Sequence, residues 1–187
     1  MRQLHQDSLI FLMVLFFLLL SSCMHTKKAE LDDSITLSRQ YLNIGDYQKA
    51  LDTYKLIYTK YPNDQTFVSS YIKTIEDIRR ASDSAFSNED FSLSGRIYGM
   101  LIRNYSDFKG FASRLSFNRD YLNTRIKDCS EFLTKKALEE YRKGNLTHAI
   151  SIWKGILAFD PDNIYAKKSI ETTSIQRKHL HQNKSER

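Results

Sequence analysis

The stretch "SRQYLNIGDYQKALDTYKLIYTKYPND", residues 38–64, contains the pattern that decides the fold. Gly45 lies between two amphipathic runs, and Pro62 ends the second run. Glycine readily takes the left-handed conformation that closes a helix, and Asp46 can then accept the first backbone N–H groups of a second helix. The residue before a proline is disfavoured in helical geometry. The stretch therefore predicts two helices joined by a tight turn.

A second stretch, "ALEEYRKGNLTHAISIWKGILAFDPDN", residues 137–163, has the same spacing, with Asn145 as the predicted cap. In both, a small residue precedes the glycine, an alanine follows it, and an aromatic residue and a proline come after. Small residues let two helices approach closely, and an aromatic residue one turn further on fills the adjacent gap. The matching positions are Ser38, Gly45, Ala50, Tyr54 and Pro62 in the first stretch, and Ala137, Gly144, Ala149, Trp153 and Pro161 in the second.

A third, degenerate copy lies between these two. Its small and aromatic positions are Ser82, Ser94 and Tyr98, but Glu89 stands where the others have glycine and Ser106 where they have proline. This copy therefore predicts a middle hairpin from fewer signals than the outer two.

These positions resemble those of the tetratricopeptide repeat (TPR), a helix–turn–helix of about 34 residues that stacks into a solenoid. The resemblance implies an all-α fold, a TPR-like helical-hairpin solenoid of about three repeats with a C-terminal capping helix. The extra residues between copies predict longer first helices or one inserted helix. Such solenoids bind protein segments on the surface lined by their first helices. The candidate partner-binding residues there are Arg39, Tyr41, Asn43, Lys135 and Glu139.

The N-terminus carries a twelve-residue apolar run, Leu9 to Leu20. As a helix it would rise about 18 Å, less than the hydrocarbon core of about 30 Å. The run is typical of a secretory signal. It ends in Leu20-Ser21-Ser22-Cys23, which resembles the bacterial lipobox, so the resemblance implies a diacylglyceryl group on Cys23 and removal of residues 1–22 as a lipoprotein signal peptide. An ordinary cleaved signal and an uncleaved anchor are the alternatives.

The sequence thus divides into four parts. Residues 1–22 form the signal peptide, 23–33 a lipidated N-terminus and tether, 34–178 the TPR-like repeat domain, and 179–187 a polar tail. Met24 replaces the Asp that, in such lipoproteins, favours inner-membrane retention. We therefore expect the outer membrane, facing the periplasm, with the outer leaflet of the inner membrane as the alternative.

No recognisable catalytic set accompanies these features. The sequence has no zinc-ligand spacing, Gly-rich phosphate loop or nucleophile elbow, so we expect no enzyme, no metal and no cofactor beyond the lipid on Cys23. The net charge of +6 is spread among acids, which favours a solvated surface over an anionic envelope surface or nucleic acid. We expect an adaptor or scaffold for protein or peptide partners of the cell envelope that binds no nucleic acid. A ligand-binding or cell-wall-contacting accessory lipoprotein is the alternative.

Overall fold

Helices dominate the computed structural model, which describes residues 26–185. Within this range there is no strand, and two short 3₁₀ turns accompany seven α-helices, which confirms the all-α prediction. The helices are α1 (26–43), α2 (Tyr47–Lys60), α3 (Gln65–Ser87), α4 (Phe91–Asn104), α5 (Arg119–Arg142), α6 (Leu146–Leu157) and α7 (Ile164–Ser185), with the 3₁₀ turns at Tyr105–Phe108 and Ala112–Arg114.

The chain forms two compact units whose boundary falls inside α3, between Thr74 and Ile75. Unit 1 contains α1, α2 and the first half of α3. Its core includes Tyr54, whose ring stacks on Tyr71 at a centroid distance of 4.9 Å and lies 5.2 Å from that of Phe67. These rings exclude water from the first hairpin.

Unit 2 contains the rest of α3 and helices α4 to α7. Helix α5 packs on both α4 and α6, and α6 packs on α7. The short turns between α5 and α6 and between α6 and α7 make these neighbours antiparallel. The core of this unit is formed by large apolar side chains, among them Tyr98, Leu101, Phe108, Leu122, Trp153, Ile156 and Phe159.

Three turns of the chain share one backbone geometry. Gly45 (φ +76°), Glu89 (φ +61°) and Gly144 (φ +82°) all take the left-handed conformation, and Glu89 is the one non-glycine residue that does so in the described range. At each turn this residue's N–H bonds three residues back, and the next N–H bonds five residues back. This pair of bonds satisfies the last carbonyls of the first helix.

Small residues twelve positions apart meet across each turn. The Ser38 hydroxyl donates to the Ala50 carbonyl at 3.0 Å, and the Ser82 hydroxyl donates to the Ser94 carbonyl at 2.9 Å. Ala137 and Ala149, twelve positions apart at the third turn, are likewise fully buried. The three hairpins therefore share spacing and backbone conformation.

The extra residues between the copies lengthen the first helices. Helix α3 has 23 residues and α5 has 24, whereas α2 and α4 have 14 each. The irregular segment 105–118 holds the remainder.

Three local expectations differ from the structure. The predicted tether, 23–33, is helical from residue 26, because Leu31 is buried and ion pairs hold its first turn. The predicted polar tail, 179–187, continues α7 as far as Ser185. The Asn145 side chain makes no capping hydrogen bond to α6, and its Nδ2 donates to Glu140 Oε2 at 2.8 Å.

Candidate functional site

Helix α5 borders two grooves that contain sequence-predicted residues. The first, named here the α5 groove, has a volume of about 570 Å³ and runs between α5 and the α6–α7 turn. Its α5 residues recur every three or four positions, so they form one stripe along the helix. The groove is lined by Asn123, Ile126, Lys127, Ser130, Glu131, Thr134, Lys135, Asp160, Asn163 and Tyr165.

Hydrogen bonds hold one wall of the α5 groove. Ser130, which is 3% exposed, donates from its hydroxyl to Asp160 Oδ2 at 3.1 Å. Asn163 Nδ2 donates to the same oxygen at 2.9 Å, while Asn163 Oδ1 accepts the Ala166 N–H and so caps α7. Hydrogen bonds among these side chains therefore hold the α6–α7 turn against α5.

The opposite edge of the α5 groove carries charge of both signs. Lys127 and Glu131 face each other at 3.8 Å, and both are largely exposed. Lys135 lies two turns beyond Lys127 on α5, and the half-exposed Tyr165 lines the groove from α7. Lysines, a carboxylate and a tyrosine can together hydrogen-bond and pack on a polypeptide segment.

The second groove, named here the turn groove, has a volume of about 470 Å³ and lies between the α3–α4 turn and α5. Phe132 is 43% exposed there and stacks on Phe91 at a centroid distance of 4.3 Å. The Lys135 ammonium lies 5.4 Å from the Phe132 ring centroid. Lys135 thus lines both grooves, whereas Glu139 lines the turn groove and not the α5 groove.

The other three candidate residues belong to unit 1. Arg39 and Asn43 are exposed on α1, and Tyr41 is half-buried with the Lys49 ammonium 5.5 Å from its ring centroid. They do not line the groove of about 370 Å³ that α1 forms with the start of α3. The structure therefore brings Lys135 and Glu139 to a shared groove, whereas Arg39, Tyr41 and Asn43 line none of the three grooves named here.

Unit 2 also contains a cluster of charged and phenolic groups that the sequence did not predict. Asp83 Oδ1 accepts hydrogen bonds from the Tyr121 hydroxyl at 2.7 Å and from the Tyr98 hydroxyl, and Asp83 also pairs with Arg79. Burial, together with the hydrogen bond to this carboxylate, raises the pKa of Tyr98 far above its usual value. The cluster joins α3, α4 and α5.

Arg125 and Glu76 extend this cluster. The Arg125 guanidinium lies 3.9 Å from the Phe86 ring centroid, and its Nε donates to the Tyr98 hydroxyl at 3.3 Å. Glu76 accepts the Ser116 N–H at 2.6 Å and so fixes the irregular segment before α5. Because these groups bind one another, they stabilise the packing of three helices. Their partners lie far apart in sequence, so no local motif reveals them.

Other reactive side chains give no site within residues 26–185. No three His, Cys, Asp or Glu residues converge there to hold a metal ion. Cys129 is fully buried, and burial raises the pKa of its thiol, which disfavours the reactive thiolate. The predicted lipidation site, Cys23, lies outside the described residues.

The described chain is thus an all-helical protein with two open grooves beside α5. No helix within residues 26–185 combines the length and apolar character needed to cross a membrane. No protein-family model matches the chain. No curated protein is similar to it. No solved structure resembles it either.

Proposed function

We propose that the protein is a lipid-anchored periplasmic adaptor built from three TPR-like hairpins and a capping helix, α7. The observation that carries this proposal is the threefold recurrence of one turn, at Gly45, Glu89 and Gly144, each followed by a buried Ala or Ser five residues later. Repeated hairpins produce extended surfaces suited to polypeptide partners. The adaptor would catalyse nothing and bind no nucleic acid.

The resemblance of Leu20–Cys23 to the bacterial lipobox supports the anchor. Two or three acyl chains on Cys23 would hold the protein durably at a membrane, where a single chain holds it only marginally. The membrane proposed is the outer one, with the protein on its periplasmic side. The outer leaflet of the inner membrane remains the second choice.

The two grooves beside α5 support a protein partner. The α5 groove offers Lys127, Glu131 and Lys135, and the turn groove adds the exposed ring of Phe132. An aromatic side chain surrounded by polar and charged groups is common at the centre of protein interfaces. A segment of an envelope protein is the proposed occupant.

A second candidate function is a ligand-binding or cell-wall-contacting accessory lipoprotein. The observation in its favour is the size of the α5 groove, about 570 Å³, which is within the range of small-molecule sites. Its single Lys127–Glu131 pair and the polar Ser130–Asp160 contact favour a polar ligand.

Two measurements test the proposal. Replacing Cys23→Ser should abolish labelling by a palmitate analogue and release the protein from the membrane fraction, while Cys129→Ser should leave the label unchanged. Persistent labelling of the Cys23→Ser variant would contradict the anchor.

Crosslinking in isolated envelopes separates the two functions. An adaptor should give adducts that carry the mass of a discrete second protein. A ligand-binding accessory should give no such adduct and should retain a small molecule in native mass spectrometry.

A further inference from the structure

The first turn of α1 is fastened to the α2–α3 turn of unit 1. Lys27 Nζ lies 3.1 Å from Asp64 Oδ2. Glu30 pairs with Lys60 and accepts a hydrogen bond from the Tyr61 hydroxyl at 3.0 Å. Two ion pairs and one hydrogen bond thus join the start of α1 to the two ends of the same turn.

Packing strengthens this attachment. Leu31 is only 8% exposed, and the Lys27 ammonium lies 5.2 Å from the Tyr61 ring centroid. The start of α1 is therefore part of the folded unit rather than a loose leader.

The same contacts create one continuous polar surface. Lys27 and residues 60–66 line a shallow groove of about 520 Å³, named here the anchor face. Pro62, Asn63 and Gln65 on this face are exposed.

The covalent chain places this face near residue 23. Three residues of extended chain span at most about 11 Å, so residue 26 lies within that distance of the Cys23 Cα. The headgroup zone on each side of a bilayer is about 5–7 Å thick. A lipid on Cys23 would thus keep the start of α1 within about 11 Å of a residue held at the headgroups.

The charged groups of the anchor face are largely neutralised by one another. Asp64 and the neighbouring Glu30 are both paired with lysines, while Lys28, Asp32 and Asp33 are exposed on the first turns of α1. Phosphate headgroups would therefore meet paired charges and amides on the face itself and the Lys28 ammonium beside it.

We propose that unit 1 rests on the membrane through the anchor face, with lipid headgroups of the anchoring bilayer as its occupant. This inference rests on the proposed lipidation of Cys23. It reverses the expectation of a spacer, because the segment 26–33 is helical and bound to the unit. The far end of α1, beside the turn at Gly45, lies about 27 Å along the helix from its first residue.

Site-specific fluorescence on the purified lipidated chain tests the inference. A fluorophore is attached to Asn63→Cys on the anchor face or, as the matched control, to Ile44→Cys at the far end of α1. Ile44 is 75% exposed, and the helix 26–43 that separates the two ends is about 27 Å long. Both variants carry Cys129→Ala so that one thiol reacts.

The vesicles contain phosphatidylethanolamine and phosphatidylglycerol, with a spin-labelled headgroup lipid as quencher. We expect quenching at position 63 to exceed that at 44 roughly threefold or more, because only the former lies within the headgroup zone. Equal quenching at both positions would overturn the inference.

Mass spectrometry of the N-terminal fragment tells the two failures apart. A fragment without the diacylglyceryl mass would overturn the anchor and this inference together. A lipid-bearing fragment with equal quenching would overturn this inference alone and leave the anchored adaptor standing.

Discussion

The second and third hairpins make the same turn from different residues. The second has Glu89 at φ +61° and two serines, Ser82 and Ser94, that exchange hydrogen bonds. The third has Gly144 at φ +82° and alanines at the matching positions. The difference shows that the backbone hydrogen bonds at the end of the first helix and the close contact between the two helices define the turn. The residue type at these positions changes only the free energy of forming it.

The caps after these turns differ in the same way. Asp90 accepts the Leu93 N–H at 3.0 Å and caps α4 itself. At the third turn Asn145 donates instead to Glu140, which also pairs with Lys143 and contacts His148. The Glu140 carboxylate, near the end of α5, thus stabilises the third hairpin turn through side-chain contacts.

The largest expected effect tests the close contact in the third hairpin. Ala149 is fully buried, so Ala149→Leu should lower the free energy of unfolding by roughly 1–3 kcal/mol through overpacking. The control is Thr147→Leu, at an exposed position of the same helix. Urea unfolding measures both, and an unchanged Ala149→Leu midpoint would refute the proposed repeat alignment.

The contact between the end of the third hairpin and α4 should be nearly as sensitive. A Cβ on Gly99 would lie 2.9 Å from Phe159 Cβ and 3.0 Å from its carbonyl oxygen. We expect Gly99→Ala to lose about 1–2 kcal/mol, since overpacking outweighs the gain in helix propensity.

Gly155 is the matched control for Gly99. A Cβ there meets nothing within 4 Å, so Gly155→Ala should gain up to about 1 kcal/mol. Thermal unfolding of both variants gives the sign, and losses of equal size would show that Phe159 does not require the glycine.

The serine pair of the second hairpin can be converted into the alanine pair of the third. Ser94→Ala removes the hydrogen bond to the Ser82 carbonyl and should cost about 1 kcal/mol, as should Ser82→Ala. The double variant should cost slightly less than the sum, because the two hydroxyl oxygens also contact each other at 3.4 Å and each single variant already loses that contact. A double-mutant cycle in urea measures this coupling, and strict additivity would count against it.

An effect of similar size concerns the left-handed residue itself. Glu89→Gly should stabilise the protein by about 1 kcal/mol, since a side chain is strained in this conformation, and Gly144→Ala should destabilise it by a similar amount. Thermal unfolding detects both. A loss of stability in Glu89→Gly would show that the glutamate side chain contributes more than the strain costs.

The pKa of Glu140 tests the side-chain cap of the third turn. Hydrogen bonds from Lys143 and Asn145 lower the pKa of this carboxyl to about 2. Because the pKa of Glu140 is lower in the folded state, its carboxylate contributes to folding stability above its ordinary pKa. This contribution is lost as the pH falls toward 2. A carboxyl-detected NMR titration should show this value, and Asn145→Ala should raise it; an ordinary value near 4.5 would contradict the cap.

Much of the helical pattern could be read from local spacing. Gly45 and Gly144 mark their turns directly, and the alignment also located the middle turn at Glu89, where the residue type alone gives no such signal. The reason is that small residues twelve positions apart repeat at all three turns.

The long-range contacts could not be predicted from the sequence. The start of α1 reads as a charged tether because its lysines and acids find their partners, Lys60 and Asp64, a full hairpin later. The Asp83 cluster and the cradle of Gly95 and Gly99 around Phe159 likewise depend on helices brought together by folding. The grooves beside α5 exist only after that packing, so the sequence indicated Lys135 and Glu139 but not the space around them.

Photo-crosslinking in intact cells tests the proposed adaptor most directly. A photoreactive amino acid replaces Glu131 in the α5 groove or, as the control, the exposed Arg96 of α4. The account predicts a discrete protein adduct from position 131 that is absent from position 96 and lost in the Cys23→Ser variant. No protein adduct at 131, or the same adducts at both positions, would contradict a docking surface beside α5.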